Sequence, residues 1–287
     1  MAFFTFIKRK KLIFAGNLIL EKTSMKTRFL IIALILSLQT NVFAQTDYFL
    51  GKRTYCEMPT DSETKKLFKL GIDCINLNLR IGAANRIFQD LIKKDKTFCD
   101  AYFFAGYTFR LSNMNKEAVV MYYIADSLSQ NKSIEFKQNL AFTSIMVGKV
   151  DLARKKFKEI TTFFPENPEG YYGIALTSTI IGDFDNGLEN INIAEKKYTG
   201  ENKDAQFLKA ILLTLNKKHL ESLQYYGKVQ SNFSKDDNFN GNYALSLYEV
   251  GIATNDEKML KKAKKHYGKV KDKSELAEDI KFKFEKK

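Results

Sequence analysis

The chain has 287 residues, of which 45% are hydrophobic and only 3 are proline, so it suits one large or two ordinary folded helical domains rather than a disordered chain. Its formal net charge is +13, but residues 1–44 carry seven basic side chains against one acidic side chain, which leaves 39 basic and 32 acidic groups, or +7. A charge of this size favours solubility and a mild attraction to anionic partners, and with five arginines after residue 44 it gives little support to nucleic-acid binding.

The N-terminal region has the pattern of a secretion signal. Lys26 and Arg28 precede an apolar run at 29–38, and Val42-Phe43-Ala44 then offers small residues at the −3 and −1 positions of a cut before Gln45. As a helix this run spans roughly 15 Å, about half of a bilayer core, so it is too short for a transmembrane helix. The alternative interpretation is an ordinary buried helix.

The pattern therefore predicts a signal-peptide region at 1–44, with Met25 as a second candidate for the true start. We expect a mature chain of Gln45–Lys287, without a transmembrane helix, that is exported to the periplasm or the extracellular space. A cytoplasmic scaffold starting at Met1 is the alternative, and it requires residues 29–44 to stay attached.

The mature chain begins with an irregular extension at 45–61, followed by helical periodicity. Thr60-Asp-Ser-Glu63 is a capping box, which predicts the start of the first helix. Its apolar face is predicted at Leu67, Leu70, Cys74 and Leu77, and a second helix is predicted at 82–94.

Later helices are predicted in pairs that begin and end at capping residues. Asn167 is a predicted N-cap before Pro168, and Gly182 is a predicted C-terminal stop. The predicted pairs are 100–111 with 116–127, 134–147 with 151–163, 168–182 with 185–197, and 204–216 with 219–230.

These pairs carry a regular repeat. A small residue occurs at steps of 34, 35, 34 and 35 residues, and an apolar, mostly aromatic residue follows each one four positions later. A period near 34 indicates a solenoid of stacked helix pairs. The small residues are Ala84, Ala118, Ala153, Gly187 and Ser222, and their followers are Phe88, Tyr122, Phe157, Ile191 and Tyr226.

The sixth unit departs from this period. Ala263 lies 41 residues after Ser222, and the extra seven residues are predicted near 251–258. A final helix at 274–286, within a capping segment at 271–287, is predicted to cover the last repeat with Leu276, Ile280 and Phe284.

The repeat resembles the tetratricopeptide repeat. Unit four carries the pattern most clearly, with Tyr171, Ala175, a Gly182-Asp183 turn, Gly187 and Ala194. The resemblance covers 62–270 as five to six repeats, and unit one lacks the Gly-Asp turn. It implies an all-α, right-handed superhelical solenoid of stacked antiparallel helix pairs that acts as a non-enzymatic scaffold and binds a protein or peptide in its concave groove.

Carried over residue by residue, the resemblance also implies the residues that face the groove. We expect a groove that is polar at its N-terminal end and aromatic in the middle, which suits a partner with apolar side chains. The alternative is that several of these side chains belong to the core of a tightly wound superhelix. The predicted partner-binding residues are Lys69, Asp73, Asn76, Phe103, Tyr107, Arg110, Gln138, Phe142, Tyr172 and Phe207, followed by Ile145, Leu176 and Ile211.

The three cysteines allow one disulfide. From the predicted positions along the helices, Cys74 lies too far from both other cysteines, whereas Cys56 and Cys99 occupy neighbouring ends of adjacent units. We therefore hypothesise a Cys56–Cys99 disulfide in an oxidising compartment. The interpretation of Cys74 is a buried thiol.

Nothing in the sequence indicates catalysis, a cofactor or a metal. His219 and His266 are the two histidines, no His, Cys and carboxylate cluster has metal-ligand spacing, and phosphate-loop and nucleophile-elbow motifs are absent. A lysine-rich stretch, residues 261–273, is either a solvated helix face or a surface for anionic lipid or glycan. The two functional hypotheses are thus an exported scaffold in envelope assembly or secretion and, as the alternative, a periplasmic module that binds envelope lipid or glycan weakly through these lysines.

Overall fold

A computed structural model describes residues 56–57, 59–76, 80–276 and 278–285. These residues form thirteen α-helices and one short 3-10 helix, and they contain no strand, which confirms the predicted all-α class. The predicted signal peptide and most of the N-terminal extension lie outside the described residues. Within those residues, no helix is both long and apolar enough to cross a bilayer. The chain divides between Pro165 and Glu166 into two compact units.

The first unit contains three helix pairs. Its helices run antiparallel within a pair: the Lys94 ammonium at the end of the second helix contacts Asp61 (3.0 Å) and Glu63 (2.9 Å) at the start of the first. The helices are α1 (Ser62–Asn76), α2 (Ile81–Lys94), α3 (Cys99–Leu111), α4 (Asn115–Leu128), α5 (Ile134–Met146) and α6 (Val150–Phe163).

The second unit contains three further pairs and a terminal helix. The helices are α7 (Pro168–Ile181), α8 (Phe184–Lys197), α9 (Lys203–Leu215), α10 (His219–Phe233), α11 (Asp237–Thr254), α12 (Glu257–Tyr267), the 3-10 turn (Lys273–Glu275) and α13 (Glu278–Glu285).

Side-chain caps fix several helix starts. Asn167 accepts a hydrogen bond from the Glu169 backbone N–H (2.9 Å) with Pro168 in the first turn, and Gly182 ends the same helix at φ +84°, as predicted. The first helix is different, because Asp61 accepts from the Thr64 N–H (2.9 Å). The predicted Thr60 capping box is therefore wrong by one residue. Hydrogen bonds from the Thr64 N–H, the Thr64 hydroxyl and the Lys94 ammonium hold the pKa of Asp61 well below its usual range.

Small residues let the two helices of a pair approach closely in the first unit. A Cβ added to Gly71 would lie 2.7 Å from the Phe88 ring, and one added to Gly106 would lie 2.9 Å from the Tyr122 ring. The aromatic residues Phe88 of α2 and Tyr122 of α4 thus occupy the space that a glycine leaves on the first helix of the same pair. Close approach of helices at small residues such as Gly106 is what the repeat pattern predicts.

The same small-to-large packing occurs in the second unit. Gly187 leaves space that the Leu212 side chain fills. Tyr226, the aromatic residue of the fifth repeat, is stacked on Tyr243 at 5.2 Å and meets Phe239 edge to face at 5.6 Å. Aromatic rings therefore connect consecutive repeats within this unit.

The sixth repeat contains three to five of its seven extra residues as added helix in α11. Helix α11 has 18 residues, while the first helices of the other repeats have 13 to 15. It ends at Asn255, which adopts a left-handed conformation at φ +52°. The terminal helix is shorter than predicted, since it begins at Glu278 rather than residue 274, although Leu276 and Ile280 are buried against the last repeat.

Candidate functional site

The predicted groove residues separate into buried and accessible sets. Phe103 stacks on Phe136 with ring centroids 4.6 Å apart, and Phe207 packs against Phe239 at 5.9 Å. These two side chains are therefore core residues, and the prediction that they line an accessible groove is wrong for them. The other buried members of the predicted set are Tyr107, Tyr172, Ile145, Leu176 and Ile211.

Three predicted groove residues remain accessible on the first helices of repeats two and three. Arg110 lies on α3, and Gln138 and Phe142 lie on α5; all three side chains are half-buried. The Phe142 ring packs edge to face against the Phe157 ring, with the two ring centroids 5.2 Å apart. We call Arg110, Gln138 and Phe142 the first-helix surface.

The three predicted residues of repeat one are out of register by one position. Gly71 faces Phe88 as Gly106 faces Tyr122, so the structure aligns Gly71 with Gly106, a step of 35 residues rather than the 34 assumed for this unit. The reason is that Gly71 and Phe88 are 17 residues apart in the sequence, whereas Gly106 and Tyr122 are 16 apart. The structural equivalents of Phe103, Tyr107 and Arg110 are therefore Phe68, Ile72 and Ile75.

This shift places the predicted residues Lys69, Asp73 and Asn76 elsewhere on α1. Lys69 and Asp73 form an exposed i,i+4 ion pair at 2.7 Å, with side chains 78% and 48% exposed. A pair this exposed contributes little to stability or to a defined site. Leu70, predicted on the apolar face, is likewise exposed.

Several side chains of the first unit, Arg110 among them, keep buried polar atoms without a hydrogen-bond partner. The buried polar atoms of four side chains, Arg110 (Nε and Nη2), Asn115 (Oδ1), Tyr122 (OH) and Thr143 (Oγ1), have no hydrogen-bond partner. The guanidinium lies 5.1 Å from the centre of the Tyr107 ring. Burial raises the pKa of Tyr122 to about 12, and the nearby Arg110 acts in the opposite direction.

Comparable polar positions on α9, α10 and α11 form a hydrogen-bond network across repeats five and six. The Thr214 hydroxyl lies 3.0 Å from both the Tyr226 and the Ser246 hydroxyls, and the Ser222 hydroxyl donates to that of Ser246 at 2.8 Å. His219 Nδ1 lies 3.5 Å from the Ser246 hydroxyl. Because Ser246 is fully buried and shares its hydroxyl with this network, the Ser–His pair is part of the packing and cannot act on a substrate.

Four charged side chains meet inside the first unit. Lys137 contacts Asp126 (3.0 Å) and Glu159 (2.7 Å), and Lys156 contacts the same two carboxylates (2.7 and 2.8 Å). Lys137 is 1% exposed, so its charge depends on these partners. Two positive and two negative charges balance each other, which makes this cluster a structural crosslink between α4, α5 and α6.

The disulfide joins the N-terminal extension to the start of α3. It links Cys56 to Cys99, the pair that the sequence favours, with Cα atoms 6.3 Å apart, and Cys74 is a buried free thiol. Asp100, which is fully buried, accepts a hydrogen bond from the Cys56 backbone N–H at 2.8 Å. Among the described residues, Cys56, Cys99 and Asp100 are the one group of three metal-ligand side chains, but in the disulfide neither sulfur is a thiolate.

The second unit presents a lysine-rich face on α12 and the segment after it. All seven lysines are exposed, and none forms an ion pair within the part of the chain that the structure describes. Lys262 donates to the Tyr243 hydroxyl at 2.7 Å, and the Lys273 ammonium lies 4.5 Å from the centre of the Tyr267 ring. The members of this lysine face are Lys261, Lys262, Lys264, Lys265, Lys269, Lys271 and Lys273.

No known family profile matches the chain, and no curated protein matches it. Solved structures do resemble it. A tetratricopeptide repeat protein from Parabacteroides merdae ATCC 43184 superposes with a TM-score of 0.57 at 14% identity, covering 77% of this chain and 98% of that one. MamA (41-end) from Desulfovibrio magneticus RS-1 gives a TM-score of 0.55 at 13% identity, covering 60% and 96%.

A third structure, YrrB, is described as a TPR protein with an unusual peptide-binding site. It gives a TM-score of 0.52 at 16% identity, covering 68% of this chain and 97% of YrrB. At these identities the likeness shows the fold alone. The chain is thus a helical-repeat protein, and the particular repeat fold is that of tetratricopeptide-repeat proteins, as the sequence predicts.

Proposed function

We propose that this protein is an exported scaffold without catalytic activity, which binds a protein or peptide partner through the first-helix surface. The observation that carries the proposal is the tetratricopeptide-repeat fold, which it shares with a protein described as having a peptide-binding site. We further propose that its role lies in assembly of the cell envelope or in secretion.

The chemistry of the first-helix surface suits an extended peptide. Arg110 and Gln138 supply hydrogen-bond donors for backbone carbonyls or acidic side chains, and Phe142 supplies an aromatic contact that Phe157 holds in place. The surface is smaller and less aromatic than the sequence predicts, because Phe103 and Tyr107 are buried. We therefore expect a partner that binds largely by polar contacts.

Two observations support the export proposal. Residues 26–44 carry the charge, apolar and cleavage pattern of a signal peptide, and the Cys56–Cys99 disulfide belongs to an oxidising compartment. The test uses protein from its native cell, alkylated without reduction in denaturant. We expect a chain that begins at Gln45 and carries one alkylated thiol, at Cys74; a chain that retains residues 29–44 with three alkylated thiols would place it in the cytoplasm.

A photo-crosslinking residue at position 138 tests the binding surface. The control is the same residue at Lys116, which is exposed on α4. We expect a defined crosslinked polypeptide from position 138, and we expect Phe142→Ala to weaken it without changing the circular dichroism spectrum. Equal crosslinking from both positions would argue against this surface.

The second candidate function is binding of anionic envelope lipid or glycan through the lysine face. It is favoured by seven exposed lysines without ion pairs to described residues. Vesicles of phosphatidylglycerol and phosphatidylcholine test it against vesicles of phosphatidylcholine alone. The proposal is supported if the double variant Lys264→Glu, Lys265→Glu loses binding, if the control Lys116→Glu, Lys155→Glu keeps it, and if binding depends steeply on salt concentration. Equal binding by the two double variants would reject it.

A further inference from the structure

The N-terminal extension is fixed to the stripe of α3 that bears Arg110 near its other end. Cys56 forms the disulfide with Cys99, and its backbone N–H donates to the Asp100 carboxylate at 2.8 Å. At about 100° per residue, Arg110 points within about 20° of Cys99, and Asp100 lies about 100° further round on the same side. The extension therefore meets α3 at one end of the stripe that leads to the first-helix surface.

The first helix of the next repeat, α5, continues this surface. Gln138 and Phe142 follow Phe103 and Tyr107 by 35 residues, so they occupy the matching stripe one repeat later. Both side chains are half-buried, and the Phe142 ring packs against the Phe157 ring. Phe142 thus supplies an aromatic contact on the helix that follows the anchored one.

The segment before Cys56 is long enough to reach Phe142. Phe142 lies eight residues after the start of α5. This is about 12 Å along the helix, and neighbouring helix axes are about 10 Å apart, so the anchor is about 16 Å away. Leu50 precedes Cys56 by six residues, which span up to about 20 Å. With Tyr48 and Phe49 it forms a run of three apolar or aromatic side chains.

From this anchor and this reach we infer that residues 48–50 of the chain itself dock on the first-helix surface, with the Phe49 and Leu50 side chains against the Phe142 ring. The disulfide keeps the segment close and raises its effective concentration at the surface. A partner that binds there has to displace it, so the extension competes with the partner. The docking needs no partner, and only the competition rests on the proposed function.

A photo-crosslinking phenylalanine analogue at position 49 of the mature chain tests the docking in the absence of any other protein. After irradiation, proteolysis and mass spectrometry, we expect a crosslink to the α5 peptide that contains Phe142. The control is the same analogue at Leu70, which is 50% exposed on α1. It should give no crosslink to α5.

Variants of the extension test the contact without changing the described helices. Leu50→Asp should reduce the crosslink several-fold and leave the circular dichroism spectrum unchanged, because a charge is unfavourable at an apolar contact. Thr46→Asp adds the same charge four residues earlier and should crosslink as the wild type does. Cys56→Ser should also reduce the crosslink, since the segment loses its nearby anchor.

A mixture of ¹⁵N-labelled and unlabelled chains shows whether the crosslink stays within one chain, as we expect. A crosslink between differently labelled chains would mean that a second copy occupies the surface, and it would overturn the inference. Attachment mainly to helices other than α5, or equal yields from the wild type and Leu50→Asp, would overturn it as well.

The partner crosslink from position 138 separates this inference from the proposed function. A crosslink from position 49 to α5 without any partner crosslink supports the docking and rejects the partner function. The reverse result rejects the docking and keeps the function. If both crosslinks form, Leu50→Asp should increase the partner crosslink several-fold, and an unchanged yield would overturn the competition.

Discussion

His266 is expected to make the second unit sensitive to acid. It is 2% exposed, and its Nδ1 lies 2.8 Å from the Asn240 amide oxygen. The Asn240 amide nitrogen donates to the backbone carbonyls of Ser234 (3.0 Å) and Asp236 (2.9 Å), so the amide orientation is fixed. The Asn240 oxygen must therefore accept, and His266 carries its proton on Nδ1 in the neutral form.

Charging this imidazole is unfavourable in the folded state. Burial lowers the pKa of His266 from 6.5 to about 4, and the positive charges of Lys269, Lys262 and Lys265 add to this effect. The unfolded chain binds a proton near pH 6.5, so between these values the unfolded state holds more protons than the folded state. Stability is thus fully present above pH 6.5 and falls as the pH drops toward 4.

From the two pKa values, His266 should reduce the free energy of unfolding by about 2 kcal/mol between pH 7 and pH 5. Urea unfolding followed by circular dichroism at both pH values measures this loss in the wild type and in His266→Gln. The glutamine variant cannot titrate and retains an amide donor for Asn240. Carboxylates contribute to both proteins alike, so the difference between the two losses belongs to His266.

Proton NMR provides a second measurement, since the imidazole signal that disappears in His266→Gln reports the pKa directly. We expect a midpoint near pH 4 in the folded protein. A midpoint near 6.5, or the same loss of stability in both proteins, would refute the assignment of His266 as a buried neutral side chain.

Two further predictions concern packing and charge in helix interiors. Lys137→Met leaves Asp126 and Glu159 with one positive partner fewer and should lower the free energy of unfolding by about 3–5 kcal/mol. Lys69→Met breaks an exposed ion pair and should lower it by under about 1 kcal/mol. Urea unfolding measures both losses, and equal losses would contradict the argument from burial. Gly106→Ala places a Cβ 2.9 Å from the Tyr122 ring and should destabilise by about 1–3 kcal/mol. Gly227→Ala, where a Cβ meets nothing within 4 Å, should stabilise by up to about 1 kcal/mol, and a loss there would show that helix propensity is not the deciding effect.

Much of the fold was predictable because its signals are local. A glycine or alanine on one helix and an aromatic residue on the next recur at a nearly constant step, and only close helix packing satisfies both. Capping residues such as Asn167 and Gly182 act within one turn of their own helix, so their roles followed from the residues alone. The Cys56–Cys99 pairing followed from helix length in the same way.

The candidate site was less predictable, because accessibility depends on the rotation of each helix. One additional residue between Gly71 and Phe88, compared with Gly106 and Tyr122, moved Lys69 and Asp73 by one position, which is about 100° around a helix. Phe103 and Phe207 look like groove residues in the repeat pattern, yet each is covered by an aromatic ring of the following repeat. Such coverage depends on residues more than 30 positions away.

By itself, the sequence determined the helix pairs, their period and the small-to-aromatic contacts, because these depend on neighbours within one repeat. Only the tertiary structure decided which polar groups meet inside. Lys137 finds Asp126 and Glu159 on two other helices, whereas the half-buried Arg110 pairs with no carboxylate among the described residues. The physical reason is that a buried charge is stable only beside its counter-charge, and which side chains become neighbours is set by how the helices pack together.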